Sequence, residues 1–473
     1  MLEEPSPARS VAALVVATGL PAFMLSLDNM VVTTALPTIQ RDFAASIEQL
    51  QWTVDVYTLP FAALILAAAT VGDRVGRRQT FTGGLLPFVL ASAAAGLATS
   101  PTGLIAARAV QGVGAAAVLT LSLTLLATGV PPRSRALAVG LWGAFSGLGV
   151  ALGPILGGAA VSGLHWPWIF LLNVPVGLAT LVVVRLALPE STGPATRLDP
   201  LGIALSAAGL VAVVWGVVAA PTDGWTSPTV LAALVGGGAL LLAFAAWQRR
   251  APHPLLPPTL FRAPVFRIVN GVALLSNTGL YGCVFLITQY FQVEKGLSAW
   301  EAGLHTVPCT VPPLFVAPFA GVLTARFGLR RLMVVGHTLV ALSLAAMTVV
   351  FATSGPYPVL ATAFLVCGTG LGLTYPAVSS LALTAVPASA EGIASGVIGV
   401  ARELGVAVGV AVLVSLFASY GDYRPGVFVD GLVPASLAGI VVIGTAALLS
   451  TRLPDDHAAS RLSPSFPPGK VKK

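Results

Sequence analysis

Residues 200–220 read PLGIALSAAGLVAVVWGVVAA, a stretch of helix length without a single charged residue. A second uncharged stretch extends from Val433 to Ser450. An α-helix of about 20 apolar residues spans the roughly 30 Å hydrocarbon core of a bilayer. These two stretches therefore predict membrane-spanning helices rather than the buried helices of a water-soluble domain.

The composition of the whole chain agrees with these two stretches. Of its 473 residues, 56% are hydrophobic and only 9% are charged, whereas soluble proteins carry about 25% charged residues. The 50 glycines and 36 prolines are compatible with membrane helices, because packed neighbours satisfy the backbone and glycine permits close helix contact. The net charge of +7 does not indicate nucleic-acid binding, since the basic residues are scattered over short connections.

Apolar runs bounded by charges, Gly or Pro predict fourteen helices. They cover 11–36, 51–71, 80–98, 103–128, 136–160, 168–188, 200–220, 228–247, 266–291, 302–324, 332–352, 357–383, 392–418 and 433–451. Lys and Arg collect in cytoplasmic connections. If the N terminus is cytoplasmic, only Arg41, Lys295 and Arg424 of the 25 Lys and Arg residues fall in outer segments. We therefore expect both termini in the cytoplasm.

The sequence contains an internal repeat. GDRVGRR at 72–78 follows the second predicted helix, and TARFGLRR at 324–331 follows the tenth. Many transporters consist of repeated halves that bind cargo between them. We therefore expect four parts, namely an N-terminal six-helix bundle over 1–190, an inserted two-helix linker over 191–262, a C-terminal six-helix bundle over 263–452 and a disordered cytoplasmic tail over 453–473.

Four motifs carry a family pattern, namely LDNMVVTTALP at 27–37, GDRVGRR at 72–78, RAVQGVG at 108–114 and GVALGPILGG at 149–158. They resemble the major facilitator superfamily, and specifically its fourteen-helix drug:proton antiporter branch. The resemblance extends over nearly the whole chain. It implies an all-α polytopic membrane protein with the major facilitator fold, in which two six-helix bundles are joined by an inserted helix pair. It also implies a multi-pass protein of the cell inner (plasma) membrane.

Two charged residues of the predicted outer half, Asp28 and Arg108, are candidates for proton coupling. Asp28 lies roughly 25 Å along the first helix and Arg108 about 7 Å into the fourth, which brings them to a similar depth. A carboxylate inside a membrane is costly unless it is paired, protonated or hydrated. We expect the two to interact directly or through water. The alternatives are an interfacial Asp28 and an Arg108 that extends to the outer interface.

Glu403 is a second candidate proton site or a cation-selecting charge. It lies about 16 Å into the thirteenth helix, close to the midplane. The antiporter branch often has a neutral amide at this point, so the carboxylate is a departure from the family pattern. A local pair with Arg402 is the alternative, although adjacent residues on a helix do not face each other.

The resemblance also implies residues that gate the transporter. In the turn after the second helix, Asp73 would pair with arginines and close the inner gate in one state. A plain positively charged turn would explain the arginines but not Asp73. The glycines of the fifth helix permit close contact with a neighbouring helix, and the resemblance implies that they take part in gating. The alternative is that this helix is kinked and serves only for packing. The gating set is Asp73, Arg74, Gly76, Arg77, Arg78, Gly149, Gly153, Pro154, Gly157 and Gly158.

Aromatic and polar residues on several helices are predicted to line a substrate cavity. They are Asn29, Trp52, Asp55, Tyr57, Gln111, Phe145, Asn277, Phe285, Gln289 and Tyr375. The alternative for Asp55 is a location at the membrane interface. The alternative for the amides Asn277 and Gln289 is a hydrogen bond to a neighbouring helix. His305 and His337 lie close to predicted helix ends and are interpreted as structural. The three cysteines are interpreted as packing residues.

The expected function is proton-coupled export (antiport) of hydrophobic, cationic small molecules such as drugs or antibiotics. The alternatives are a dedicated exporter of one endogenous metabolite or antibiotic and a nutrient uptake symporter. The sequence has no phosphate-binding GxxxxGK[ST] loop and no Cys–His cluster, so we expect no enzyme activity, no metal and no cofactor, with protons as the coupling ion. The expected partners are a small-molecule substrate and the lipid bilayer, without nucleic acid, and we expect a monomer.

Overall fold

The computed structural model describes residues 11–163, 165–193, 198–387 and 390–454, and nearly all of them are α-helical. The helices of the first half are α1 (Val11–Phe43), α2 (Ile47–Val75), α3 (Arg77–Gly96), α4 (Pro101–Gly129), α5 (Pro132–Gly163), α6 (Trp168–Leu171) and α7 (Asn173–Ala187). They are followed by α8 (Pro200–Asp223) and α9 (Pro228–Gln248). The second half contains α10 (Pro264–Val293), α11 (Ala299–Thr310), α12 (Pro312–Phe327), α13 (Leu329–Ala352), α14 (Tyr357–Thr384), α15 (Glu391–Tyr420) and α16 (Phe428–Ser450).

Every predicted helical run overlaps a helix of the structure, and the all-helical fold is confirmed. Within the described residues, 11 helices are long and apolar enough to cross a membrane. The short helices α6 and α7 form one such segment over 168–187, whereas α3, α5, α11 and α12 are not among the 11. The number of fourteen spans therefore stays a prediction. The predicted disordered tail falls largely on 455–473, outside the described residues.

One predicted helix, 302–324, is divided in two. The helix α11 ends at Thr310 and α12 begins at Pro312. Because Pro312 and Pro313 lack an N–H group, they cannot donate the helical hydrogen bonds that would continue α11.

The second helix is instead longer than its apolar run. It begins at Ile47 because the N-cap residue Ser46 and Gln49 of the first turn form a capping box. Such a box provides partners for backbone N–H groups that are free at a helix start.

The two halves of the chain form separate helix clusters. In the first half α1 packs against α5, and α4 packs against α2 and α3. In the second half α10 packs against α15 and α16, and α13 packs against α14 and α16. The repeated turns also share a backbone feature, because Gly76 and Gly328 both have a positive φ, 133° and 84°. Glycine adopts this region without strain, so the same turn joins α2 to α3 and α12 to α13.

The inserted pair α8–α9 contacts both halves along the line where α2 meets α15. Midway, Val214 of α8 packs with Leu59 of α2 and Leu404 of α15. At one end of the pair, the Trp225 Nε1 donates a hydrogen bond to Ser415 Oγ of α15 at 2.8 Å. The linker is therefore packed against the contact line between the two halves rather than standing apart from them.

Candidate functional site

Asp28 lies in a buried polar network inside the first helix cluster. The residue is 1% exposed, and its carboxylate forms an ion pair with Arg108. The Oδ1 atom also accepts hydrogen bonds from Asn173 Nδ2 at 2.7 Å and from Gln111 Nε2 at 3.3 Å. An ionised carboxylate only accepts hydrogen bonds, and these donors satisfy it. The expected Asp28–Arg108 interaction is therefore a direct contact in the structure.

Arg108 has further partners on α2 and on its own helix α4. Its Nε donates to the Thr53 carbonyl of α2 at 3.2 Å, and its Nη1 donates to Gln111 Oε1 at 3.0 Å. The guanidinium carbon lies 4.2 Å from the centroid of the Tyr57 ring. Arg108 is fully buried, so it does not extend to the interface. The network connects α1, α2, α4 and α7, and it fixes their relative positions.

A central cavity lies between the two helix clusters. It is lined by residues from α1, α2, α4, α5, α10, α14 and α15, including Asn29, Tyr57, Asn277, Tyr375 and Glu403. A second cavity, the C-terminal cavity, adjoins it and is lined mainly by α10 to α15. The two cavities share Ser26, Met30, Ser146, Asn277, Tyr281, Tyr375 and Arg402. The halves of the chain therefore enclose a space with aromatic and amide groups in its wall.

Glu403 lines the central cavity, whereas Asp28 lines neither cavity in the part of the chain that the structure describes. Within that part Glu403 has no ion pair or hydrogen bond, and its neighbour Arg402 has other partners. Arg402 Nη2 donates to Ser379 Oγ at 2.6 Å, and its guanidinium carbon lies 4.2 Å from the centroid of the Tyr375 ring. Glu403 is thus a carboxylate at the cavity wall whose charge is not neutralised by an ion pair.

Four of the ten residues predicted for the substrate cavity line it, namely Asn29, Tyr57, Asn277 and Tyr375. The described residues Trp52, Asp55, Gln111, Phe145, Phe285 and Gln289 line neither cavity. Gln111 belongs to the Asp28 network, Phe145 lies against Gly19 of α1, and Phe285 packs on the core of the second cluster. Trp52 is 36% exposed. The prediction was wrong for these residues because the sequence does not determine how each helix is rotated about its axis. A difference of one residue turns a side chain by 100° around the helix.

The predicted turn residues lie at the end of the molecule where α2 meets α3, which we call the basic end. Asp73 Oδ1 is 2.7 Å from Arg77 Nε, and both side chains are buried. A Cβ atom on Gly392, at the start of α15, would lie 2.7 Å from both Asp73 carboxylate oxygens. Arg78 is 3.7 Å from Glu190, while Arg74 is exposed. Asp73 therefore touches the opposite half of the chain.

A second contact at the basic end joins the two halves by charge. Arg135 Nη1 of α5 is 3.1 Å from Glu391 Oε1 of α15, and the Glu391 side chain is only 5% exposed. Beside this pair, Ser395 Oγ donates to the Thr120 carbonyl at 3.0 Å. The sequence shows both charges, but it gives no sign that they meet across 256 residues. These contacts join the two halves of the chain at the basic end.

The glycines of α5 allow it to pack closely against α1. A Cβ atom on Gly149 would overlap the Phe23 carbonyl, and one on Gly153 would overlap Met30. Gly158, further along α5, lies against Trp300 of α11, where an added Cβ would be 3.0 Å from the Trp300 Cα. Gly157 is also buried, and Pro154 lies within the helix. The motif therefore positions α5 between the two halves of the chain.

Comparison with known proteins identifies the class to which this fold and site belong. The Major Facilitator Superfamily family model matches residues 19–410. The chain therefore belongs to the major facilitator superfamily, the class of multi-span membrane transporters whose architecture it shows. The resemblance inferred from the motifs is confirmed at the level of the superfamily, and the fourteen-helix branch stays a prediction.

Three relatives are named for resistance or efflux. The chain is 37% identical over 464 residues to "Multidrug efflux pump LfrA" of Mycolicibacterium smegmatis, covering 97% of this chain and 90% of that protein. It is 35% identical to "Multidrug resistance protein Stp" of Mycobacterium tuberculosis, with 86% and 75% covered. It is 33% identical to the "Tetracenomycin C resistance and export protein" of Streptomyces glaucescens, with 94% and 84% covered.

Solved structures show the same fold at low sequence identity. The human organic anion transporter MFSD10 (TETRAN) aligns with a TM-score of 0.65 at 15% identity, over 94% of this chain and 100% of that chain. The proton:xylose symporter XylE aligns with a TM-score of 0.65 at 17% identity, over 94% and 96%. At these identities the likeness describes the architecture alone.

Proposed function

We propose that this protein is a proton-coupled exporter of hydrophobic, cationic small molecules such as drugs or antibiotics, in the fourteen-helix drug:proton antiporter branch. The observation that carries the proposal is Glu403, a carboxylate in the wall of a cavity that also contains Tyr57 and Tyr375. An unpaired carboxylate attracts a cationic cargo, and aromatic faces bind cations and apolar rings. The names of relatives at 33–37% identity support export.

Glu403 is the carboxylate that we assign to the proton. When a proton neutralises Glu403, closing an apolar cavity around it costs less free energy. A cationic cargo and the proton would therefore compete for the same carboxylate, and this competition couples their opposite movements. We assign Asp28 and Arg108 a positioning role, since hydrogen bonds and the ion pair occupy the Asp28 carboxylate and, in the described part of the chain, it lines neither cavity.

Alternation between two conformations is the second part of the proposal. We infer that the basic end is cytoplasmic, because it collects arginines, and that the protein is a multi-pass protein of the inner membrane. The Arg135–Glu391 pair and the Asp73–Gly392 contact would then form the cytoplasmic gate. Both must separate when cargo enters from the cytoplasm. We infer no enzymatic step and no cofactor, with protons as the coupling ion, and a monomer as the working unit.

Everted membrane vesicles test this function directly. Wild-type protein is expected to drive uptake of the fluorescent cation ethidium into acidified vesicles, and an uncoupler is expected to abolish it. Glu403→Gln, which keeps the shape and removes the charge, is expected to abolish proton-driven uptake. Gln289→Asn serves as a control for expression and insertion, because Gln289 lies outside both cavities and the change adds no charge. Full proton-driven transport by Glu403→Gln would refute the assignment.

A dedicated exporter of one antibiotic is the second candidate. It is favoured by two relatives named for single compounds, the tetracenomycin C protein and the "Methylenomycin A resistance protein" of Streptomyces coelicolor, which is 33% identical. A susceptibility panel of expressing cells separates the two candidates. Resistance to several unrelated compounds supports the broad exporter, and resistance to a single compound supports the dedicated one.

A further inference from the structure

Arg402 is a buried cation in the wall of both cavities. It is 7% exposed and directly precedes Glu403 on α15. Its Nη2 donates a hydrogen bond to Ser379 Oγ, and its guanidinium lies over the Tyr375 ring. Among the described residues it has no ion pair and no other hydrogen bond. Because a guanidinium has five N–H donors, most of the Arg402 donors are available to a further acceptor.

The charge of Arg402 is stabilised differently from that of the other buried arginine in the membrane region described above. Arg108 pairs with the Asp28 carboxylate. Arg402 stays charged at any relevant pH, and a buried charge without a counter-ion is unfavourable. The Tyr375 ring stabilises a cation, but it is not an anion. Arg402 can therefore gain from an anion that comes from outside the protein.

A second polar group without a partner lies in the same walls. Ser146 of α5 lines both cavities and is 5% exposed. Its hydroxyl has no hydrogen-bond partner among the described residues, although buried polar groups of proteins are nearly always hydrogen-bonded. A hydroxyl can donate to a carboxylate. Ser146 from the first half of the chain and Arg402 from the second half therefore both present donors to the shared space.

The two cavities differ in charge. Among the described residues, the C-terminal cavity contains Arg402 and no carboxylate, whereas the central cavity contains Glu403 as well. Successive residues of a helix differ in direction by 100°, so the two side chains point to different parts of the joined space. The described residues include no ion pair between them. A cation and a carboxylate that are both unpaired match a molecule that carries both charges.

We propose that the cargo is amphoteric, namely an aromatic compound with a cationic nitrogen that binds at Glu403 and a carboxylate that binds at Arg402 and Ser146. This inference rests on the proposed export of cations and adds a second, negative charge to the cargo. A guanidinium can bind a carboxylate through two parallel N–H bonds. Tyr281 and Tyr375, which line both cavities, are available to the aromatic part of the cargo.

A matched pair of fluorescent dyes tests the proposal on the purified full-length protein. N-(carboxymethyl)acridinium is a betaine with a permanent cation and a carboxylate, and its methyl ester keeps the cation but lacks the anion. At neutral pH the wild-type protein is expected to bind the betaine about tenfold more tightly than the ester, because the carboxylate gains charge-assisted hydrogen bonds. Equal affinities, or tighter binding of the ester, would overturn the proposal.

Substitutions assign the preference to its residues. Arg402→Gln is expected to abolish the preference for the betaine, while the affinity for the ester stays the same or rises, because Arg402 repels a cation. Ser146→Ala, a small truncation, is expected to weaken betaine binding about threefold and to leave ester binding unchanged. Arg267→Gln is the control, since Arg267 is exposed and lines neither cavity. Unchanged betaine affinity in Arg402→Gln or in Ser146→Ala would contradict the proposal.

Two further measurements separate this inference from the proposed function. Glu403→Gln is expected to weaken binding of both dyes, because both carry the cation. Ethidium has no acidic group, so its transport by wild-type vesicles tests export of cations alone. If ethidium is exported while the two dyes bind equally, the amphoteric cargo is refuted and the export function stands. If the betaine is preferred while ethidium transport fails, only the export function is refuted.

Discussion

Replacing Arg108 with Met tests whether the buried charge network stabilises the first helix cluster. Methionine fills a similar volume, but it leaves Asp28 as a buried carboxylate without its cation. Loss of one partner from a buried ion pair costs about 3–5 kcal/mol. Asp28 keeps its hydrogen bonds from Asn173 and Gln111, so we expect a loss at the lower end, about 3 kcal/mol.

The loss can be measured as a shift in the thermal unfolding midpoint of the purified protein in detergent. For a cooperative unit of about 190 residues, 1 kcal/mol corresponds to about 2–4 °C, so the expected decrease is about 6–12 °C. The control is Arg424→Met. Its side chain is 77% exposed and pairs with Asp422 at the surface, so the expected change is below about 1 kcal/mol.

A double variant separates charge from packing. Asp28→Asn/Arg108→Met removes both charges and keeps similar volumes, and replacing a buried pair by neutral groups is often close to neutral in stability. We expect it to recover about 2 kcal/mol of the loss caused by Arg108→Met. If the single variant is as stable as wild type, or if the double variant is no more stable than the single one, the network does not have the stabilising role described above.

Three further outcomes follow from other contacts. Gly149→Ala is expected to lower the unfolding midpoint by an amount equivalent to about 1–3 kcal/mol, because the added Cβ would overlap the Phe23 carbonyl. Gly147→Ala is the control and is expected to leave the midpoint unchanged, because a Cβ atom at Gly147 would meet no other atom within 4 Å. Arg135→Glu is expected to slow ethidium transport in vesicles, and Arg135→Glu/Glu391→Arg to restore it; lack of restoration would contradict a gating pair. Burial raises the pKa of Asp199, but hydrogen bonds from Gly202, Trp247 and Gln248 outweigh burial and lower the pKa overall. Asp199→Asn is therefore expected to destabilise the protein at pH 7 by about 1 kcal/mol. The difference in stability from wild type is expected to vanish below about pH 3, where Asp199 is protonated.

The sequence predicted those features that depend on one strong local signal. Long uncharged runs predicted the helices, because the hydrocarbon core sets their length. Asp28 and Arg108 were predicted to meet because an isolated charge in a membrane requires a partner. The neutral partners Asn173 and Thr53 were not predicted. Small polar residues are common in membrane helices and give no sign of which neighbour they contact.

Features that depend on helix rotation or on contacts between distant helices were predicted only in part. The aromatic residues Phe145 and Phe285 were expected at the cavity but pack within their own clusters. Apolar residues surround a membrane helix on all sides, so hydrophobic periodicity does not show which face is inward. The Arg135–Glu391 pair and the hydrogen bond between His337 and Ser276 each join separate helices, and only the tertiary structure brings these partners together.

The two carboxylates differ in how their charge is stabilised, and this difference supports the functions proposed for them. Asp28 accepts hydrogen bonds from the amides of Asn173 and Gln111 in addition to its pair with Arg108, so protonation would disrupt an established network. Glu403 has no such partner among the described residues and lies where cargo would pass. A group that must exchange protons and cargo needs access to both, whereas a group that holds four helices in register must keep its contacts unchanged. Proton exchange is therefore expected at the cavity wall, and the buried Asp28 network is expected to move with the first helix cluster as one rigid unit.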